Sequence, residues 1–174
     1  MTGEMDYRGE PGGELIVEKD DFRLGTLEDE LRVDRLCREI LMRFYFQLME
    51  DGATPERATF LAGGADYFTR DFVVGFRQRS IFDERPGIVR QFAGNWYIVT
   101  TLEPDIAQLS GHLEGIREFY RFLRSHGLVS GEFLRQIEQE CADTDFYAGR
   151  ISSFWDITGD GYYAWEQEFT LKDS

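Results

Sequence analysis

Cysteine and histidine each occur only twice in the 174-residue chain, proline four times, and lysine only at Lys19 and Lys172. Each scarcity excludes something. Cys37 and Cys141 fit neither a CxxC pair nor a Cys/His ligand spacing, so neither a disulfide framework nor a zinc site is expected. They read as core thiols in a protein of the reducing cytoplasm. His112 and His126 complete no Ser/His/Asp or Cys/His order, and Gly63-Gly64 lacks the lysine and strand context of a phosphate loop. No cofactor is expected, and no enzyme. With no repeat, no low-complexity tract and no proline-rich linker, residues 1–174 are expected to form a single domain. No apolar run approaches the ~20 residues that span a bilayer, and Met1 to Asp6 carries no basic, apolar leader pattern. Secretion and membrane insertion are therefore not expected.

What the chain has in abundance is aromatic and acidic residues. Its 15 Phe, 8 Tyr and 3 Trp, within an apolar fraction of 42%, are too many for a disordered acidic chain. The 33 Asp and Glu outnumber 19 Lys and Arg, for a net charge of −14. The excess is segmental: residues 1–34 hold 11 acids and 4 bases, residues 35–135 hold 13 of each, and residues 136–174 hold 9 and 2. Both ends are acidic around a neutral middle whose bases are all arginine. A GC-rich genome produces that preference without any use of the planar guanidinium fork.

Periodicity predicts a mainly α fold: a five- or six-helix orthogonal bundle over about 26–154, with a small antiparallel β-sheet formed by the terminal segments. Thr26 and Asp29 form a capping box ahead of an apolar stripe from Leu27 to Leu48, and Thr54-Pro55 starts a second helix running to about Arg79. A break or a close helix contact is expected at Gly63-Gly64. Further helices are expected from Pro86-Gly87 through Trp96 and Val99, from Asp105 to Ser125, from Ser130 to Cys141, and from Thr144 to about Phe154. The breakers Arg8 to Gly13 precede a β-branched run at 14–18. Residues 155–171 read as a hairpin around Gly159-Asp160-Gly161, with Ile157 opposite Tyr163 and Trp155 opposite Trp165.

One stretch resembles a known family. Phe44 to Arg57, with its Gly52-Ala53-Thr54-Pro55 turn, then Ala65-Asp66-Tyr67-Phe68-Thr69-Arg70-Asp71-Phe72, and finally His112 to Val129 with its Gly127-Leu128 exit, are similar to the N-terminal core-binding, SAM-like module of tyrosine recombinases and phage integrases. The resemblance covers about residues 40–130 and implies a helical module that clamps duplex DNA. Catalysis in that family belongs to a further domain with an Arg, a Lys, a His-x-x-Arg pair and a nucleophilic Tyr. Neither His112 nor His126 is followed by Arg three residues on, so strand cleavage is not expected.

Two arginine clusters are the candidates for touching nucleic acid: Arg70, Arg77 and Arg79, and then Arg117, Arg121 and Arg124. Duplex affinity comes chiefly from neutralised phosphates, and this middle has no basic excess. Glu114 and Glu118 stand three or four residues from the second cluster and are expected to pair with it. A metal candidate is Asp156, Thr158 and Asp160, because oxygen ligands at alternate positions before Gly161 resemble the start of an EF-hand loop. The twelfth position is Gln167, which supplies no bidentate carboxylate, so no functional calcium site is expected. The reading that follows is a non-catalytic interaction module for a protein partner or for self-association. The alternatives are a DNA-binding or DNA-mimicking accessory protein and a small enzyme or calcium-responsive protein.

Overall fold

The first long helix starts where its capping chemistry dictates. The Thr26 hydroxyl accepts from the Asp29 amide while the Asp29 carboxylate accepts from the Thr26 amide, which satisfies two of the orphan donors of a helix start. In a computed structural model, which describes residues 15–170, this box opens α1, Leu27–Glu50. Val33, Cys37, Ile40, Leu41 and Phe44 form its buried stripe. Gly52, at φ +104°, turns the chain, and Thr54 caps α2, Pro55–Asp66. After a loop come α3, Ile88–Gln91, and α4, Tyr97–Thr100, then α5, Ile106–Ser125, α6, Gly131–Ala142, α7, Thr144–Trp155, and α8, Tyr162–Glu168. A short 3-10 turn, Lys19–Phe22, precedes α1 and buries Phe22.

Two stretches wind more widely than α. The chain of α2 runs on as a π-helical segment, Tyr67–Phe76, and a second one, Phe92–Trp96, joins α3 to α4. Local chemistry favours the first: the Thr69 hydroxyl donates to the Ala65 carbonyl at 2.8 Å and competes with the backbone ladder. Gly75 permits it, because a Cβ there would lie 2.9 Å from the Arg70 carbonyl oxygen. The expected break at Gly63-Gly64 is absent. Gly64 instead supplies the close contact, lying against the backbone of His112 on α5.

Helix α5 crosses the core. Its N-cap Asp105 accepts from the amides of Ala107 and Gln108, and Leu109, Leu113, Ile116 and Leu123 are all buried, as the spacing predicts. It packs against α1, α2, α6 and α7, and the two π segments touch each other beside it. There the rings of Tyr67, Phe72, Phe92 and Trp96 meet at centroid distances of 5.3 to 5.7 Å. His112 lies half-buried among them, 5.0 Å from Tyr67 and 5.8 Å from Tyr97.

The terminal sheet is overturned: among the described residues no strand forms. Leu15 and Val17 rest partly buried on the core in a stretch without regular secondary structure. Residue 14 of that expected strand, the breakers at 8–13 and residue 171 of the expected hairpin lie outside the described residues. Trp155 is the last residue of α7, and Gly159, at φ +60°, turns the chain into α8 rather than into a second strand. The reason is what each conformation can cover. A hairpin would set four large apolar side chains on one face, whereas α8 buries Trp165 alone against α7 and leaves Tyr162 and Tyr163 exposed. No helix among the described residues is long and apolar enough to cross a membrane.

Candidate functional site

Four of the six arginines proposed for nucleic acid, Arg70, Arg79, Arg117 and Arg121, are held by carboxylates, some of them from other elements. Arg70 sits between Asp34 of α1 at 2.9 Å and Asp66 of α2 at 3.0 Å. Arg79 lies 3.5 Å from Asp83, and Arg77 ends the first π segment. In the second cluster Arg121 bridges Glu118 at 2.8 Å and Glu138 of α6 at 2.9 Å, while Arg117 reaches Glu118 at 3.5 Å. Arg124 donates instead to the Val129 carbonyl at 3.1 Å. The pairing expected of Glu118 is present. Glu114, assigned to the same cluster, turns away and binds Arg57 of α2. The two clusters lie on different elements, and each is matched by acids.

The metal candidates fall on a tight turn. Asp156 caps α7, the Gly161 amide donates to the Thr158 carbonyl at 3.1 Å, and α8 begins at Tyr162, where an EF-hand loop would still be wrapping its ion. Among the described residues no three His, Cys, Asp or Glu side chains gather in a ligating group. The cysteines lie in the core: burial pushes the Cys37 thiol up to about 12 and the Cys141 thiol upward as well, far from thiolate chemistry.

Two buried polar centres escaped sequence reasoning. The first is Glu140 of α6, whose carboxylate accepts from the amides of Gly87 at 3.1 Å and Arg90 at 3.0 Å and so caps α3 from a distance. Burial, only partly offset by those donors and by Arg90, holds its carboxyl above the ordinary value. Glu140→Ala is expected to cost about 1 to 3 kcal/mol, because the two amides lose their acceptor. Its proton is also held more tightly in the folded chain than in the unfolded one. Its contribution to stability is therefore fully present below the ordinary carboxylate value and is lost as pH rises through the raised folded value. Urea midpoints from about pH 4 to 7 should show Glu140→Gln lacking this part of the slope, and identical slopes would contradict the assignment.

The second centre is Arg150 of α7, 3% exposed in a tail that carries only one other base. Its Nε donates to the Gly94 carbonyl of the second π segment at 2.9 Å, and its Nη1 to the Trp165 carbonyl at 2.8 Å. The guanidinium lies 3.8 Å from the Trp165 ring. Trp165 answers with its indole N–H, which donates to Ser153 Oγ at 3.0 Å. Beside them the buried Asn95 donates to the Phe169 carbonyl at 2.7 Å. The only sequence signal was a lone arginine in an acidic segment, and such residues are usually solvated. A small cleft at Val73, Ser80, Ile81, Ile88 and Tyr120, with a volume of about 10 Å³, holds at most a water-sized guest. No family model, curated protein or solved structure matches the chain.

Proposed function

We propose that the protein is a non-catalytic protein-interaction module. The observation that carries this reading is the carboxylate matching of the arginines: Arg57, Arg70, Arg79, Arg90 and Arg121 each lie within 3.5 Å of an acid, so a phosphate backbone finds no unmatched stripe. Apolar side chains face solvent instead. Trp155 is 58% and Tyr163 71% exposed at the α7–α8 corner, among Asp156 and Asp160 and without a nearby base in sequence. Exposed aromatics with a polar rim are the usual material of protein interfaces.

A relation to the recombinase core-binding module is the second reading. The Gly52-Thr54-Pro55 turn between two long helices and the Gly127 exit of α5 support it. In the present chain its DNA face would be charge-cancelled. A gel shift of the full chain with a duplex of about 20 base pairs at low salt separates the two, since phosphate-driven binding is strongest there. No shift is expected; tight binding that falls steeply with added salt would overturn the module reading.

A further inference from the structure

We propose that the groove between α7 and the second π segment is a docking site for an acidic, aromatic segment of a partner protein, occupied in this structure by the chain's own α8. The inference rests on the module reading and gives that reading a place and a chemistry.

Helix α8 buries one side chain, Trp165, whose carbonyl accepts from Arg150 and whose indole N–H donates to Ser153, and beyond it the Phe169 carbonyl and one oxygen of Glu168 meet Asn95 and Arg150. The pattern is that of a short linear motif: a ring laid on a guanidinium, a carboxylate beyond it, and a backbone carbonyl taken by an amide side chain. The turn at Thr158–Gly161, with its left-handed Gly159, is the link that joins this segment to α7.

The groove has more hydrogen-bonding capacity than α8 uses. Arg150 Nη2 and Asn95 Oδ1 are buried without a partner among the described residues, although Arg150 is 3% exposed and Asn95 0%. Buried polar atoms of this kind are uncommon, and each costs its lost hydration. Glu168 reaches Nη1 at 3.3 Å from a side chain that is 68% exposed, so Arg150 receives one long contact where a carboxylate could give two short ones. A competing segment with an aromatic ring at the Trp165 position gains the spare donor if its acid spans both guanidinium nitrogens. A backbone amide facing Asn95 gains the spare acceptor. Displacing α8 also carries Glu166 and Glu168 away from Arg150, which removes local repulsion toward the incoming acid.

The test uses the full chain and a fluorescein-labelled peptide of residues 160–170, followed by anisotropy. Trp165→Ala loosens α8 while leaving Arg150 in place, so this variant should bind the peptide at least about tenfold more tightly than the wild type. Adding Arg150→Met should abolish the gain, and a peptide carrying Glu168→Gln should bind more weakly. On the wild-type protein, hydrogen exchange should show the α8 amides opening well before those of α5, a readout independent of how the variants fold. Equal protection of α8 and α5, or equal peptide affinity of wild type and Trp165→Ala, would overturn the proposal. Dimerisation of Trp165→Ala in sedimentation would overturn it too, because the occupant would then be a second copy. If the groove fails while duplex DNA is still ignored, only this inference falls; tight DNA binding removes the module reading itself.

Discussion

Phe92→Ala should be among the most damaging single substitutions in the protein, costing about 4 to 5 kcal/mol and lowering the melting temperature by roughly 10 to 20 °C. Phe92 is 0% exposed at the start of the second π segment. Its ring is within 6.4 Å of those of Tyr67, Phe68, Phe72, Trp96, Tyr97 and His112. Truncation therefore empties a site whose walls are other rings on helices fixed elsewhere, and a site that cannot collapse keeps its cavity. Phe92→Leu restores part of the volume and should cost distinctly less. Thermal unfolding decides the matter: a loss below about 2 kcal/mol for alanine would mean the aromatic cluster relaxes freely.

Gly115→Ala should cost about 3 kcal/mol, as overpacking against backbone cannot be relieved by a rotamer change. A Cβ at Gly115 would stand 2.3 Å from the Leu61 carbonyl oxygen and 3.1 Å from the Ala65 nitrogen, so α2 and α5 must separate. The neighbouring pair on α2 gives an internal control. Gly64 would bring a Cβ to 2.9 Å from the His112 Cα, while Gly63 meets nothing within 4 Å. Gly64→Ala should therefore destabilise, and Gly63→Ala should stabilise by roughly 0.5 to 1 kcal/mol through the unfolded state. Urea midpoints of the three variants are enough, and equal signs for Gly63 and Gly64 would refute the close approach of the two helices.

Local chemistry explains which parts could be read in advance. Thr26 with Asp29, Thr54 with Pro55, and Ser130 act within four residues of themselves, so the starts of α1, α2 and α6 were visible in sequence. The α5 stripe was visible for the same reason, because its period repeats through five turns. The π segments were not. Thr69 and Gly75 favour and permit the wide turn locally, but neither residue type marks one in a sequence, and the packing that goes with it sets Phe72 against Phe92 and Trp96, 20 and 24 residues further on. The tail misled because Trp155, Ile157, Tyr163 and Trp165 fit an alternating pattern, while the partners that favour helix, Arg150 and Asn95, lie 15 residues from Trp165 and 74 from Phe169. Glu114 shows the same limit at the candidate site: sequence proximity offered α5 arginines, and the crossing helix offered Arg57.

The wide turns of Tyr67–Phe76 and Phe92–Trp96 also bear on how the chain tolerates changes in length. Losing one residue from an ordinary α-helix rotates everything beyond it by about 100°, which carries a buried stripe out to solvent. Within a π-helical segment the same loss lets the ladder close one residue sooner, and both flanks keep the faces they already present. Relatives one residue shorter are thus expected to carry their gaps in these two segments, while α1 and α5 keep a fixed length.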